Sequence, residues 1–242
     1  WYNLNMLKIE NLNYSITEND SIKNILKNIN LTLQDNKTYV ITGPNGSGKS
    51  TFVKLLMGIL SPTDGDIFFD GKNITPLAIN ERANLGISFA FQQPVTFKGL
   101  KVRDLLDVAS GKKNDFNSLC NYLSIVGLCA KDYINRMIDD KLSGGELKRI
   151  ELAMVLSRNT KLNIFDEPEA GIDLWSFENL TKIFSSLKNS TNIIVSHQRK
   201  ILEIADEIIL LKNGEIIKIG SLNEVLPVIE TNKCNKLRGE NE

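Results

Sequence analysis

The chain has 242 residues, with 29 Lys and Arg against 29 Asp and Glu. That length suits one α/β domain with a side lobe or two small domains, and the zero net charge supplies no electrostatic footprint for nucleic acid or an anionic membrane surface. Its three cysteines, Cys120, Cys129 and Cys234, have no C-x-x-C spacing; they argue against a disulfide framework or zinc site and read as buried or idle thiols in a reducing compartment.

The start lacks the pattern of a signal peptide: Met6-Leu7-Lys8-Ile9-Glu10 alternates like a strand. Met6 is a candidate start, with residues 1–5 added or upstream. Apolar runs such as Ile208 to Leu211 are far too short to span a bilayer. The strand Leu7 to Asn13 closes at Tyr14, a polar loop over Thr17 to Ser21 follows, and Ile25 to Leu33 returns antiparallel. Tyr14 is either an ordinary strand-end aromatic or a ring that stacks on a base.

Thr38 to Thr42 is a short apolar strand, and Phe52 to Met57 reads as a helix. Between them lies Gly43-Pro44-Asn45-Gly46-Ser47-Gly48-Lys49-Ser50-Thr51. Strand, G-x-x-x-x-G-K-[ST], then helix is the phosphate-binding P-loop. Gly43, Gly46 and Gly48 let backbone amides approach a phosphate where a Cβ would intrude. The helix start adds partial positive charge. Lys49 sets an ammonium against the β- and γ-phosphates, and Ser50 offers a hydroxyl to Mg²⁺.

Ser61 to Gly65 is a turn cluster, Asp66 to Asp70 a strand, and Ile87 to Phe91 another strand, stopped at Gln92-Gln93-Pro94. From Val95 to Lys141 strand signals vanish. Val102 to Ser110, Phe116 to Val126 and Lys131 to Met137 read as helices, with Leu119, Tyr122, Leu123 and Val126 at helical spacing. This is a small helical subdomain inserted in the α/β core. Leu142-Ser143-Gly144-Gly145-Glu146 then opens a helix to about Ser157. Ser143 reads as its N-cap and Glu146 as the partner of a capping box. Two glycines in a first turn cost about 1 kcal/mol each against alanine, so something requires bare backbone there. The stretch is a second anion-binding device in one chain.

Leu162 to Asp166 is a strand ending in two carboxylates. Asp166 can reach Mg²⁺, directly or through water, and Glu167 faces the place of an attacking water. A loop over Pro168 to Asp173 leads into a helix to about Lys188, and Asn192 to Ser196 is a strand ending at His197, the only histidine. Glu207 to Ile219 reads as a hairpin turning at Lys212-Asn213-Gly214. The last helix, Leu222 to Ile229, is expected short or kinked at Pro227, with a frayed polar tail after Thr231.

From about Leu7 to Leu226 the chain resembles an ATP-binding cassette (ABC) ATPase. In order, Gly43 to Thr51 is similar to the Walker A loop, Gln92 to the Q-loop glutamine and Leu142 to Glu146 to the LSGGE signature. Leu162 to Asp166 is similar to Walker B, Glu167 to the catalytic carboxylate, Ala170 to Asp173 to the D-loop, and His197 to the switch histidine. The resemblance implies a P-loop α/β fold: a RecA-like, mostly parallel core sheet, an N-terminal antiparallel β subdomain and an inserted α-helical subdomain. It implies one cassette over residues 7–226, with its core in 7–94 and 160–226, its helical part in about 95–159, and a polar tail at 231–242. It also implies a head-to-tail dimer, with ATP between Gly43 to Thr51 of one copy and Ser143, Gly144, Gly145 and Glu146 of the other, bordered by Asp173. Lys49 and the loop amides would stabilise phosphate charge; Ser50, Gln92 and Asp166 would hold Mg²⁺. Glu167 would polarise the water, His197 would contact the γ-phosphate, and Tyr14 would stack on adenine.

Within that family several segments resemble SufC, the ATPase of iron–sulfur cluster assembly. They are Ala90 to Val95, Ser143 to Arg149, Glu169 to Asp173 and His197-Gln198-Arg199. Glu167-Pro168 departs from it: importers carry that proline, and many SufC proteins carry serine. The likeness implies a cytoplasmic ATPase bound to a SufB- or SufD-like scaffold, with iron and sulfur on the partner. The alternative is the nucleotide-binding subunit of a membrane transporter, docked on a permease near Gln92. In either case Phe97 and Leu100 are candidate contacts, unless core packing explains them. A DNA-linked ATPase is disfavoured, because the insert between Gln92 and Ser143 is too short for a coiled coil.

Overall fold

A computed structural model describes residues 5–18, 21–139, 141–171 and 174–238. The expectations for Asp173, for residues 1–4 and for 239–242 lie outside them, as does the side chain of Cys234. The chain divides into two units. One holds residues up to Arg82 and from Ile193 onward; the other runs from Ala83 to Asn192.

The first unit opens with β1 (Asn5–Glu18) and β2 (Ser21–Gln34), paired antiparallel. Both are longer than the alternation predicts, and Tyr14 sits inside β1, opposite Leu26, not at its end. The cause is a pair of asparagines. Asn11 and Asn28 adopt φ of 49° and 47°, which interrupts the register. Their amides are met by side chains instead: Asn11 N–H donates to Asn30 Oδ1 and Asn28 N–H to Asn13 Oδ1, each at 2.9 Å. Asparagine tolerates this conformation, so the strands continue through bulges.

Strand β3 (Thr38–Thr42) is buried throughout, as its continuous apolar character demands. It feeds α1 (Lys49–Met57), which buries Phe52, Val53, Leu55, Leu56 and Met57. Strands β4 (Asp64–Phe69) and β5 (Lys72–Asn73) complete a four-stranded antiparallel sheet of order β2-β1-β4-β5. Helix α2 (Ile79–Asn84) follows; six residues are too few for periodicity to reveal.

The second unit contains β6 (Ile87–Ala90), α3 (Val102–Ser110), α4 (Phe116–Ile125), α5 (Ala130–Tyr133), α6 (Gly144–Ser157), β7 (Leu162–Asp166) and α7 (Leu174–Ser186). Strands β6 and β7 pair in parallel, Ile87 opposite Leu162 and Ala90 opposite Phe165. Asp115 caps α4 through the Ser118 amide at 2.8 Å. Helix α5 is shorter than the expected Lys131 to Met137. The backbone after Tyr133 leaves it to pair with the start of α3: Val102 N–H donates to Arg136 O at 3.1 Å and Ile138 N–H to Leu100 O at 2.8 Å. Cys120 is half-buried and Cys129 exposed, both as free thiols.

Strand β8 (Thr191–Val195) carries the chain back into the first unit. There α8 (Arg199–Leu202), β9 (Glu207–Lys212), β10 (Glu215–Gly220) and α9 (Leu222–Arg238) complete it. Strand β9 runs parallel to β3 and antiparallel to β10. Their turn has φ of 53° at Asn213 and 81° at Gly214, both positive as a two-residue hairpin turn requires. Helix α9 corrects the expected frayed tail. It passes through Pro227 and continues to Arg238, one backbone donor short. No described helix is long and apolar enough to cross a membrane.

Candidate active site

The P-loop bridges β3 and α1 and is braced on two sides within the first unit. A Cβ on Gly43 would lie 1.9 Å from Leu211 O of β9, and one on Gly48 would lie 2.7 Å from Leu26 Cδ2 of β2. Their φ values, 148° and 101°, are also ones that side chains rarely adopt. These two glycines are thus required by neighbouring strands, not only by an incoming phosphate. At Gly46 a Cβ would meet nothing within 4 Å. The hairpin turn adds a further tie, with Gly214 N–H donating to Ser47 O at 3.2 Å.

Pro44, Asn45 and Gly46 are exposed, whereas Ser47, Gly48 and Lys49 are buried. Lys49 Nζ donates to Gly43 O at 2.8 Å and Pro44 O at 2.9 Å, so the ammonium spans the loop it would serve. No side chain caps the first turn of α1 and no acidic residue lies in it. Ser47 Oγ is buried without a hydrogen-bond partner. Uncapped amides, an ammonium and an unmet hydroxyl around one glycine loop fit a polyphosphate. Ser50 and Thr51, half-buried, stand in the first turn of α1.

Two further expected residues share this unit. Tyr14 is half-buried opposite Leu26, the residue that packs at Gly48. His197 is exposed immediately beyond β8. The buried Ser196 before it donates its N–H to Ile41 O of β3 at 3.1 Å, which holds His197 beside the strand that enters the loop.

Gln92, Asp166, Glu167 and Ser143 to Glu146 belong to the second unit. Asp166 is 1% exposed at the end of β7. Glu167 follows with φ of 45°, an unusual conformation for a residue with a Cβ and one that precedes a proline. Such an outlier costs on the order of 1–3 kcal/mol and persists where the surroundings enforce it. Here Ala170 N–H donates to Glu167 O at 3.0 Å, and Gln92 Nε2 donates to Glu167 Oε2 at 2.6 Å. Two expected site residues, distant in sequence, thus meet directly. Within this unit Gln92 and Asp166 offer amide and carboxylate oxygens, and in the first unit Ser50 offers a hydroxyl, each a hard donor of the kind that suits Mg²⁺.

The start of α6 is a reciprocal capping box. Glu146 N–H donates to Ser143 Oγ at 3.2 Å and Ser143 N–H to Glu146 Oε2 at 2.7 Å. Glu146 Oε1 also accepts from Tyr133 Oη at 2.5 Å and Arg136 Nη1 at 2.9 Å. The hydrogen bond from Tyr133, then those from Ser143, hold its carboxyl down at about 2. Glu146 therefore faces its own unit. Ser143 and Gly144 are exposed. A Cβ on Gly144 would touch nothing within 4 Å, and one on Gly145 would lie 3.4 Å from Gly171 O, an ordinary contact.

The sequence reading missed Tyr133, Arg136, Lys148 and Glu151. Lys148 is 0% exposed, and its Nζ donates to Glu151 Oε2 at 3.0 Å and to Phe91 O. Two charges one helical turn apart among buried Ile150, Leu152 and Ala153 were the available signal.

The profile of the family described as ABC transporter matches residues 26–170. An uncharacterized ABC transporter ATP-binding protein of Methanocaldococcus jannaschii is 37% identical over 96% of either chain. The probable ATP-dependent transporter ycf16 of Pyropia yezoensis is 33% identical over 90% of this chain and 92% of its own. Among solved structures, an ATP-binding cassette in a dimeric post-hydrolysis state bound to ADP and Pi aligns with a TM-score of 0.81 at 25% identity. That alignment covers 90% of this chain and 99% of the other.

Proposed function

Because the chain belongs to the ABC transporter family of ATP-binding, ATP-hydrolysing cassettes, we propose that it hydrolyses ATP in a pocket completed by a second copy of itself. The observation that carries this reading is the bare backbone at Gly144. Gly43 and Gly48 are accounted for by their own neighbours; Gly144 faces open space from an exposed helix end, among the described residues. Bare backbone at an exposed helix start suits the close approach of a phosphate held by another molecule.

Lys49 exchanges the carbonyls of Gly43 and Pro44 for β- and γ-phosphate oxygens, and the loop amides take the rest of the charge. Ser50, Gln92 and Asp166 would hold Mg²⁺, which would supply positive charge against the phosphates. Glu167 polarises the attacking water, with its carboxylate placed by Gln92. His197 contacts the γ-phosphate, and Tyr14 stacks on the adenine. From the second copy, Ser143, Gly144 and Gly145 close over the triphosphate. Glu146 contributes by fixing Ser143, and Asp173 borders the interface.

The closure is delivered to a SufB- or SufD-like scaffold. The Ala90 to Val95, Ser143 to Arg149 and His197 to Arg199 segments support this assignment. Val95, Phe97, Leu100 and Met137 are 48%, 42%, 38% and 40% exposed, an apolar group suited to a protein partner. The same surface suits a permease, and the relatives' names favour that second reading. Glu167→Gln tests both parts. Turnover falls by about 10²–10⁴ while ATP binding persists, and the chain, held closed, copurifies at native levels with a scaffold. Normal turnover removes Glu167 from the mechanism; a copurifying permease replaces the scaffold.

A further inference from the structure

Phe91 is the first residue beyond β6, and the Gln92 segment begins there. Both of its backbone polar groups are held by side chains of α6. Its N–H donates to Glu151 Oε1 at 2.9 Å, and its carbonyl accepts from Lys148 Nζ. Lys148 and Glu151 close the ring at 3.0 Å. The Lys148 side chain is 0% exposed and that of Glu151 12%. Apolar residues would fill this space at lower desolvation cost than an ion pair. They could not hold a backbone donor and a backbone acceptor together. The pair therefore fixes where the chain leaves β6.

That exit point matters because of what stands on either side of it. The next residue, Gln92, donates to Glu167 at 2.6 Å. Little more than one helical turn before Lys148, the same helix opens at Ser143 and Gly144. We infer that Lys148 and Glu151 are positioning residues: through Phe91 they set the Gln92–Glu167 contact, so the helix that presents Ser143 also places the catalytic carboxylate. This rests on the assignment of Gln92 and Glu167 made above.

The test is a double-mutant cycle on the full chain, with Glu151→Gln, Gln92→Ala and the two combined. Glu151→Gln keeps an acceptor for the Phe91 amide and removes the charge facing Lys148. Steady-state ATPase rates give kcat and KM, and thermal unfolding confirms that each variant is folded. Glu151→Gln lowers kcat about tenfold with KM for ATP little changed, the size expected of a small misplacement. In the Gln92→Ala background the same change costs less than about twofold, because the contact it misplaces is already gone. Lys148→Met repeats the pattern. An equal loss in both backgrounds, or an unchanged kcat in Glu151→Gln, overturns the inference. Full turnover in Gln92→Ala together with Glu167→Gln overturns the catalytic assignment beneath it, and this inference with it.

Discussion

Glu146 ties the start of α6 to the segment before it with a single carboxylate. Its oxygens are divided between the Ser143 amide on one side and Tyr133 and Arg136 on the other. With the carboxyl held at about 2 against an ordinary 4.5, the charged form is favoured in the folded chain. Its contribution to stability is therefore complete above about pH 4.5 and is lost as pH falls through the range down to about 2. Tyr133→Phe removes the largest cause. It raises the Glu146 pKa, flattens this part of the acid unfolding curve, and lowers stability at neutral pH. Melting temperature against pH for the two proteins checks this; superimposable curves from pH 2 to 5 contradict it. The capping box itself was legible in the sequence, because Ser143 and Glu146 lie one turn apart. Tyr133 and Arg136 were not, since the fold and not the spacing brings them there. The same holds for the contact between Gln92 and Glu167.

At the scale of elements, α1 carries the P-loop at one end and needs support at the other. Its last carbonyls have no partner within the helix. Arg82, 1% exposed, donates to Leu55 O at 2.7 Å and Leu56 O at 2.9 Å, and also to Thr75 O and Leu77 O. Burial pulls its pKa below the ordinary guanidinium value, but a guanidinium stays charged in proteins, and a cation suits a helix C-terminus. Arg82→Met takes the guanidinium donors from Leu56 O, Thr75 O and Leu77 O, while Leu55 O keeps the Gly58 N–H, and destabilises the chain by about 1–3 kcal/mol. The urea midpoint then falls with an unchanged slope, and an unchanged midpoint contradicts the role. Strands β3 and β7 and helix α3 were legible because apolar runs and periodicity are local. The full length of β1 and β2 was hidden by asparagines that read as turn formers. Helix α5 lost its last residues to backbone pairing with α3, which no local pattern records.

At the scale of the whole molecule, the groups proposed to handle a nucleoside triphosphate are divided between the two units. The first holds the loop, its ammonium and His197; the second holds the carboxylates and an exposed glycine helix start. The central claim is that this helix start serves the triphosphate of a second copy. The Glu167→Gln chain, expected to bind ATP without cleaving it, gives the cleanest view of that state. Its mass by sedimentation, with ATP and Mg²⁺, should double from 27.1 kDa and return to it when Gly144→Asp is added. A mass that stays at 27.1 kDa with ATP bound, or doubling that survives Gly144→Asp, would contradict the account.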